Sequence, residues 1–139
     1  MKMKMRRVGL LVGILAMLAL FAQQAALAGS PHFVGTPMFT TVGNTAIVMA
    51  KEAGLGNEPQ INVVLSGTAE CINGGGKHPR AVNKTSFSQS STEPVQNGQS
   101  TYTLMATATF SPSCSPPMTV KFTSLTLTDT TNNLSVRLI

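Results

Sequence analysis

Across residues 100–110 every second side chain is apolar or small. Tyr102, Leu104, Ala106, Ala108 and Phe110 alternate with Thr101, Thr103, Met105, Thr107 and Thr109. A period of two sends the first set to one face and the second to the other, a division that no helix can make. The segment is therefore read as a strand with Tyr102 and its set inward and the Thr-rich set toward water. Residues 60–70 repeat the pattern, with Ile61, Val63, Leu65, Gly67 and Ala69 on one parity. Ile47 and Met49 mark a shorter strand over 45–51, and Leu134, Val136 and Leu138 mark a last one. Two weaker strands are expected at 38–42 and 81–89. Over 118–128 the apolar phase slips: Val120 and Phe122 share one parity, Leu125 and Leu127 the other. Such a slip in a half-buried strand predicts a bulge, here near Thr123 and Ser124.

The punctuation agrees. Gly43-Asn44, 54–59, 73–79, 93–98, 112–117 and 131–133 all carry turn chemistry. Asn97-Gly98 is the strongest hairpin signal among them. Residues 29–139 contain 17 Thr and no amphipathic helical spacing. About seven short strands in one domain's length predict an all-β fold, an antiparallel two-sheet immunoglobulin-like sandwich, with a small closed β-barrel as the alternative. The polar stretch 85–92 reads as an edge.

Residues 1–28 are set apart. Lys2, Lys4, Arg6 and Arg7 precede the apolar run 8–21, and Ala26-Leu27-Ala28 supplies a small-x-small exit. This is the pattern of a helical signal peptide cleaved after Ala28, leaving 29–139 as a single exported domain. The apolar run is short for a membrane span, so no span is expected after cleavage. The expected location is extracellular or at the cell surface, or periplasmic in a host with an outer membrane. Cleavage also removes four of the ten Lys and Arg. Six then face five Asp and Glu, and the net charge drops from +5 to +1. Nucleic acid is accordingly not an expected partner.

In an exported chain the two cysteines, Cys71 and Cys114, are expected to form a disulfide. Cys71 ends a strand and Cys114 lies in a Pro-rich loop, so the bridge would bring 72–80 beside 111–117 at one end of the sandwich. Lys77, His78, Arg80 and Lys84 gather there, next to the bare backbone of Gly74, Gly75 and Gly76 and the side chain of Asn73. Glycine backbone beside Lys and Arg suits a phosphate, sulfate or carboxylate. An ordinary turn with solvated lysines accounts for the same residues, and both readings stay open.

Other chemistry finds little support. Gly74-Gly75-Gly76-Lys77 is followed by His78, where a phosphate-binding P-loop needs Ser or Thr. His32 and His78 form no metal-ligand set, and no cofactor is expected. Asp129 is the sole Asp, Glu52, Glu58, Glu70 and Glu93 are scattered, and the Gly-x-Ser-x-Gly elbow is absent. The chain is not expected to be an enzyme.

Cys71-x-Asn73-Gly74-Gly75-Gly76-x-x-Pro79, Ala81-x-Asn83-Lys84, Asn97-Gly98, Lys51-Glu52-Ala53-Gly54-Leu55-Gly56 and the downstream Cys114 together resemble a group of small exported bacterial proteins of unknown function. The resemblance implies export and a disulfide-linked β fold, and supplies no activity. Ser115 departs from it, standing where a proline is expected. The leading functional expectation is a non-catalytic interaction module that meets an anionic cell-surface polymer or another protein through the disulfide-pinned end. The second is a structural surface protein that assembles through its strand edges.

Overall fold

The computed structural model describes residues 29–73 and 83–139, so the leader 1–28 and the segment 74–82 lie outside the described residues. Among the described residues eight strands form: β1 (His32–Phe33), β2 (Met38–Val42), β3 (Thr45–Ala53), β4 (Gln60–Ile72), β5 (Lys84–Pro94), β6 (Ser100–Thr107), β7 (Thr119–Asp129) and β8 (Leu134–Arg137). They make two antiparallel sheets and no closed barrel. The sandwich expectation holds, and the barrel alternative falls.

In the first sheet β6 lines one edge of β3 along 45–52. A strand has only two edges, so β1 (opposite 52–53) and β2 (opposite 45–49) share the other, end to end. They are one edge strand interrupted at 34–37. Gly35 turns there with φ +71°, and Pro37 withholds an amide from the ladder. This interruption raises the expected seven strands to eight. The second sheet has the order β5-β4-β7-β8.

The alternation of β6 sets its burial as expected: Ser100, Tyr102, Leu104 and Ala106 are buried and the residues between them exposed. Ile61, Val63, Leu65 and Ala69 of β4 meet Leu125 and Leu127 of β7 in the core between the sheets. Burying a Leu or Ile stabilises by about 1.5–3 kcal/mol each, and this core is where the sequence concentrates them.

The phase slip of β7 is a bulge. Thr68 opposes Ser124 and Ala69 opposes Phe122, so Thr123 is the extra residue. Thr68 Oγ1 meets Thr123 Oγ1 at 2.7 Å and Ser124 Oγ at 2.8 Å, which satisfies hydroxyls beside the broken ladder. The bulge brings the Ser124 carbonyl over Gly67, where an added Cβ would meet that oxygen at 2.3 Å and the Phe87 ring at 2.7 Å. Glycine is required there by close approach, with an ordinary φ. At Asn97-Gly98 both residues have positive φ, 52° and 70°, the geometry of a type I′ turn. Gln96 and Gln99 pair across it. Beyond that bridge the two strands part, β5 to the second sheet and β6 to the first.

The strand marked by Ile47 and Met49 exists, with Ala46, Val48, Ala50 and Glu52 as its buried side chains and Met49 exposed. Both parities of this strand carry apolar residues, so periodicity alone does not choose the inner face.

Candidate functional site

The disulfide Cys71–Cys114 forms, with Cα atoms 5.7 Å apart. Cys71 lies near the end of β4 and is buried, opposite Val120 of β7. Its sulfur is 3.7 Å from Met118 Sδ. Cys114 belongs to the connection that carries the chain from β6 in one sheet to β7 in the other. The bridge thus ties a sheet-to-sheet crossing to the second sheet, at one end of the sandwich.

Among the residues expected to bind at this end, Gly74, Gly75, Gly76, Lys77, His78 and Arg80 lie outside the described residues. Asn73 is exposed. Lys84 sits at the start of β5 in register with Glu70 of β4. Its Nζ is 3.1 Å from Glu70 Oε1, so it faces an acid across the strands. That pairing lessens what Lys84 offers an anion.

A second surface was not singled out by the sequence. Registers in the first sheet align Met38, Met49 and Thr103 in one row, Thr40, Ile47 and Met105 in the next, and Val42, Thr45 and Thr107 in a third. All these side chains share the outer face. Met38, Val42 and Met105 are each more than 60 % exposed, Met49 less so. Among the described residues, the only exposed large apolar side chain outside this sheet and its 34–37 interruption is Ile139. A shallow groove of about 280 Å³ crosses the face, lined in part by Val34, Pro37, Met38, Met49 and Thr103, with Lys51 at its rim. The outer face of the second sheet differs in kind. Its rows are Ser86, Thr68 and Ser124, then Ser88, Ser66 and Thr126, a hydroxyl surface.

At the end of the sandwich opposite the disulfide, three acids that are scattered in sequence come together. Glu52 of β3 and Asp129 of β7 are both fully buried. The Tyr102 hydroxyl donates to Glu52 Oε1, while Glu52 Oε2 is buried without a partner. Asp129 Oδ1 accepts the amides of Thr131 (2.8 Å) and Asn132 (3.2 Å). The Asn132 side-chain amide donates to Asp129 Oδ2 at 2.7 Å and to Glu58 Oε2 at 3.1 Å. Burial pushes the Glu52 pKa up to about 7; the Tyr102 hydrogen bond opposes this, and Asp129 and Glu58 reinforce it. Burial first, then the bond to Glu52, also pushes the Tyr102 hydroxyl upward. Among the described residues no group of three or more His, Cys, Asp or Glu has the arrangement to hold a metal ion.

This cluster has a sequence signal after all. Glu52 continues the inward parity of Ala46, Val48 and Ala50, and Asp129 that of Leu125 and Leu127. An acid on the buried parity of a strand is the sign that was there to read. Compared with known proteins, the chain matches no family model, and no curated protein and no solved structure matches it.

Proposed function

We propose that the chain is a non-catalytic, exported interaction module that meets another protein through the outer face of its first sheet. The observation that carries this reading is the contrast between the two outer faces. One presents Met38, Val42, Met49 and Met105 to solvent, with Lys51 as its charged rim; the other presents Ser and Thr. Contiguous exposed apolar surface with a polar border marks protein contact sites. A partner that is apolar and uncharged opposite the methionines suits it, because apart from Lys51 such a face offers a charged polymer nothing to pair with. Export is supported by the leader pattern of 1–28 and by the disulfide. The strand order supports an immunoglobulin-like sandwich, with the interrupted edge strand, β3 and β6 facing β5, β4, β7 and β8. The anion-binding reading rests on Lys77, His78 and Arg80, outside the described residues, and on Lys84, which faces Glu70.

The test compares three forms: the native protein, Met49→Lys/Met105→Lys on the first sheet, and Thr126→Lys on the second. Each is immobilised and challenged with surface extract of the producing cells, and thermal midpoints are matched. A partner held by the native and Thr126→Lys forms, and weakened about tenfold or more by the methionine substitutions, is the expected result. Equal retention by all three overturns the assignment of the face. A second copy of the chain is the alternative occupant, since among the described residues β2 pairs only with β3 and carries no charge. Sedimentation velocity separates the two, because only self-assembly gives a concentration-dependent dimer that the methionine substitutions abolish.

A further inference from the structure

Glu52 on β3 and Asp129 on β7 face each other between the two sheets, both withdrawn from solvent. The one salt bridge among the described residues is Lys84–Glu70, so neither acid has a cationic partner there. Two buried carboxylates without a counter-ion repel, and ionising both at once is strongly disfavoured. Asp129 is engaged only as an acceptor, from two backbone amides and one side-chain amide, the pattern that an ionised carboxylate satisfies. Glu52 is the unsatisfied member: its Oε2 is buried with no donor, and the Asp129 carboxyl beside it can share a proton but not supply one. A proton on that oxygen removes the buried charge.

Among the described residues the surroundings offer no other remedy. On β1, His32 sits opposite Ala53 with Nδ1 against the Ser30 carbonyl. On β3, Lys51 points to the outer face. On β5, Glu93 accepts from Ser91. Arg137 of β8 is exposed and donates to the Ile139 carbonyl. Glu58, in the 54–59 loop, adds negative charge through the shared Asn132 amide. The loop and turns at this end are linked to one another: Leu55 N donates to Gly98 O, Val95 N to Pro59 O, and Thr130 N to Asn62 O.

We propose that a single proton held by Glu52 keeps this end of the sandwich closed, and that its loss releases the 54–59 loop and the 130–133 turn as a local opening while the disulfide end stays shut. The sign follows from linkage. The closed form binds the proton more tightly than the opened, hydrated form, so closure is favoured at low pH and lost as pH rises. Burial places the changeover near neutrality. The opposite end is closed by a covalent bond that does not titrate in this range.

The experiment is amide hydrogen exchange on the disulfide-intact protein between pH 5.5 and 8.5, roughly bracketing the transition and corrected for intrinsic rates. It is paired with ¹³C-carboxyl NMR of Glu52. Protection of Leu55, Val95 and Thr130 is expected to fall by about tenfold per pH unit from pH 5.5 toward neutrality, the signature of one proton, and to level off above it, where the closed form has also given the proton up. Ala108 and Met118, whose amides bond to Asn44 O and Ser115 O at the disulfide end, are expected to hold constant. Glu52→Gln, neutral at every pH, is expected to remove the slope. Equal trends at both ends, or a Glu52 carboxyl titrating at about 4.3 like a free side chain, overturns the proposal. So does a Glu52→Gln protein that keeps the slope. The carboxyl titration is read on the unsubstituted protein, so it decides the matter even where the variant does not fold.

Discussion

The two ends of this sandwich are closed by different physics. At one end a disulfide holds the β6–β7 connection to the end of β4, with the Cys71 sulfur beside Met118 and Cys71 in register with Val120. At the other, the Tyr102–Glu52 pair of the first sheet faces the Asp129–Asn132–Glu58 group, with Glu52 and Asp129 meeting acid to acid and one carboxylate oxygen left without a donor. The first closure acts mainly by limiting the unfolded chain and responds to reductant. The second acts within the folded state and responds to protons. One small β domain therefore carries two separable conditions for staying shut, and they can be changed independently.

The largest expected effect lies at the covalent end. Cys71 and Cys114 close a loop of 43 residues, so the paired substitution Cys71→Ala/Cys114→Ala is expected to cost about 4 kcal/mol, seen as a lower urea midpoint. The loss should be the same at pH 6 and pH 8.5, since a disulfide does not titrate; a pH-dependent loss would show that the two ends are coupled. The next effect lies at the carboxyl end. Glu52 is raised from 4.5 to about 7 on folding. The folded protein therefore holds a proton that the unfolded chain has given up in that interval. Stability from this group is complete below pH 4.5, and about 3 kcal/mol of it is lost as pH rises through 7. Urea unfolding at intervals from pH 5 to 8.5 reads that decline, and the Glu52→Gln protein is expected to lack it. A flat profile in the native protein would remove the distinction between the ends.

Both closures were unequally legible in the sequence, for reasons rooted in spacing. The disulfide needs only two cysteines and an export signal to be expected. The strands of β4 and β6 are fixed by alternation that leaves one parity apolar, and the bulge at Thr123 by the point where that alternation slips. In β3 the signal is ambiguous because Ala46, Val48 and Ala50 compete with Ile47 and Met49. The bulky pair faces out, and with it the apolar face that the functional proposal rests on. The carboxyl cluster is hidden for another reason. Glu52, Glu58 and Asp129 become neighbours only when β3 and β7 stack in opposite sheets, and a linear scan for paired acids does not see stacking. The basic loop end shows the converse. Lys77, Arg80 and Lys84 look like one cluster along the chain, yet Lys84 is in a strand ladder opposite Glu70.

That ladder pair supplies the smallest effect and the sharpest control. The Lys84 side chain is 53 % exposed, so its attraction to Glu70 is screened by water and offset by the entropy of holding a long side chain. Lys84→Ala is expected to change stability by no more than about 0.5 kcal/mol. A double-mutant cycle with Glu70→Ala, followed by urea unfolding, is expected to give a coupling below about 1 kcal/mol that fades as salt is raised. Glu70 adjoins Cys71, so the pair sits where the covalent closure begins. A coupling of about 2 kcal/mol or more, insensitive to salt, would mean that this end too is held by charge, and that the contrast between a covalent end and an ionisable end is one of degree. A weak, screened coupling leaves the disulfide as the bond that matters there, and leaves Lys84 free to be exchanged without disturbing the fold.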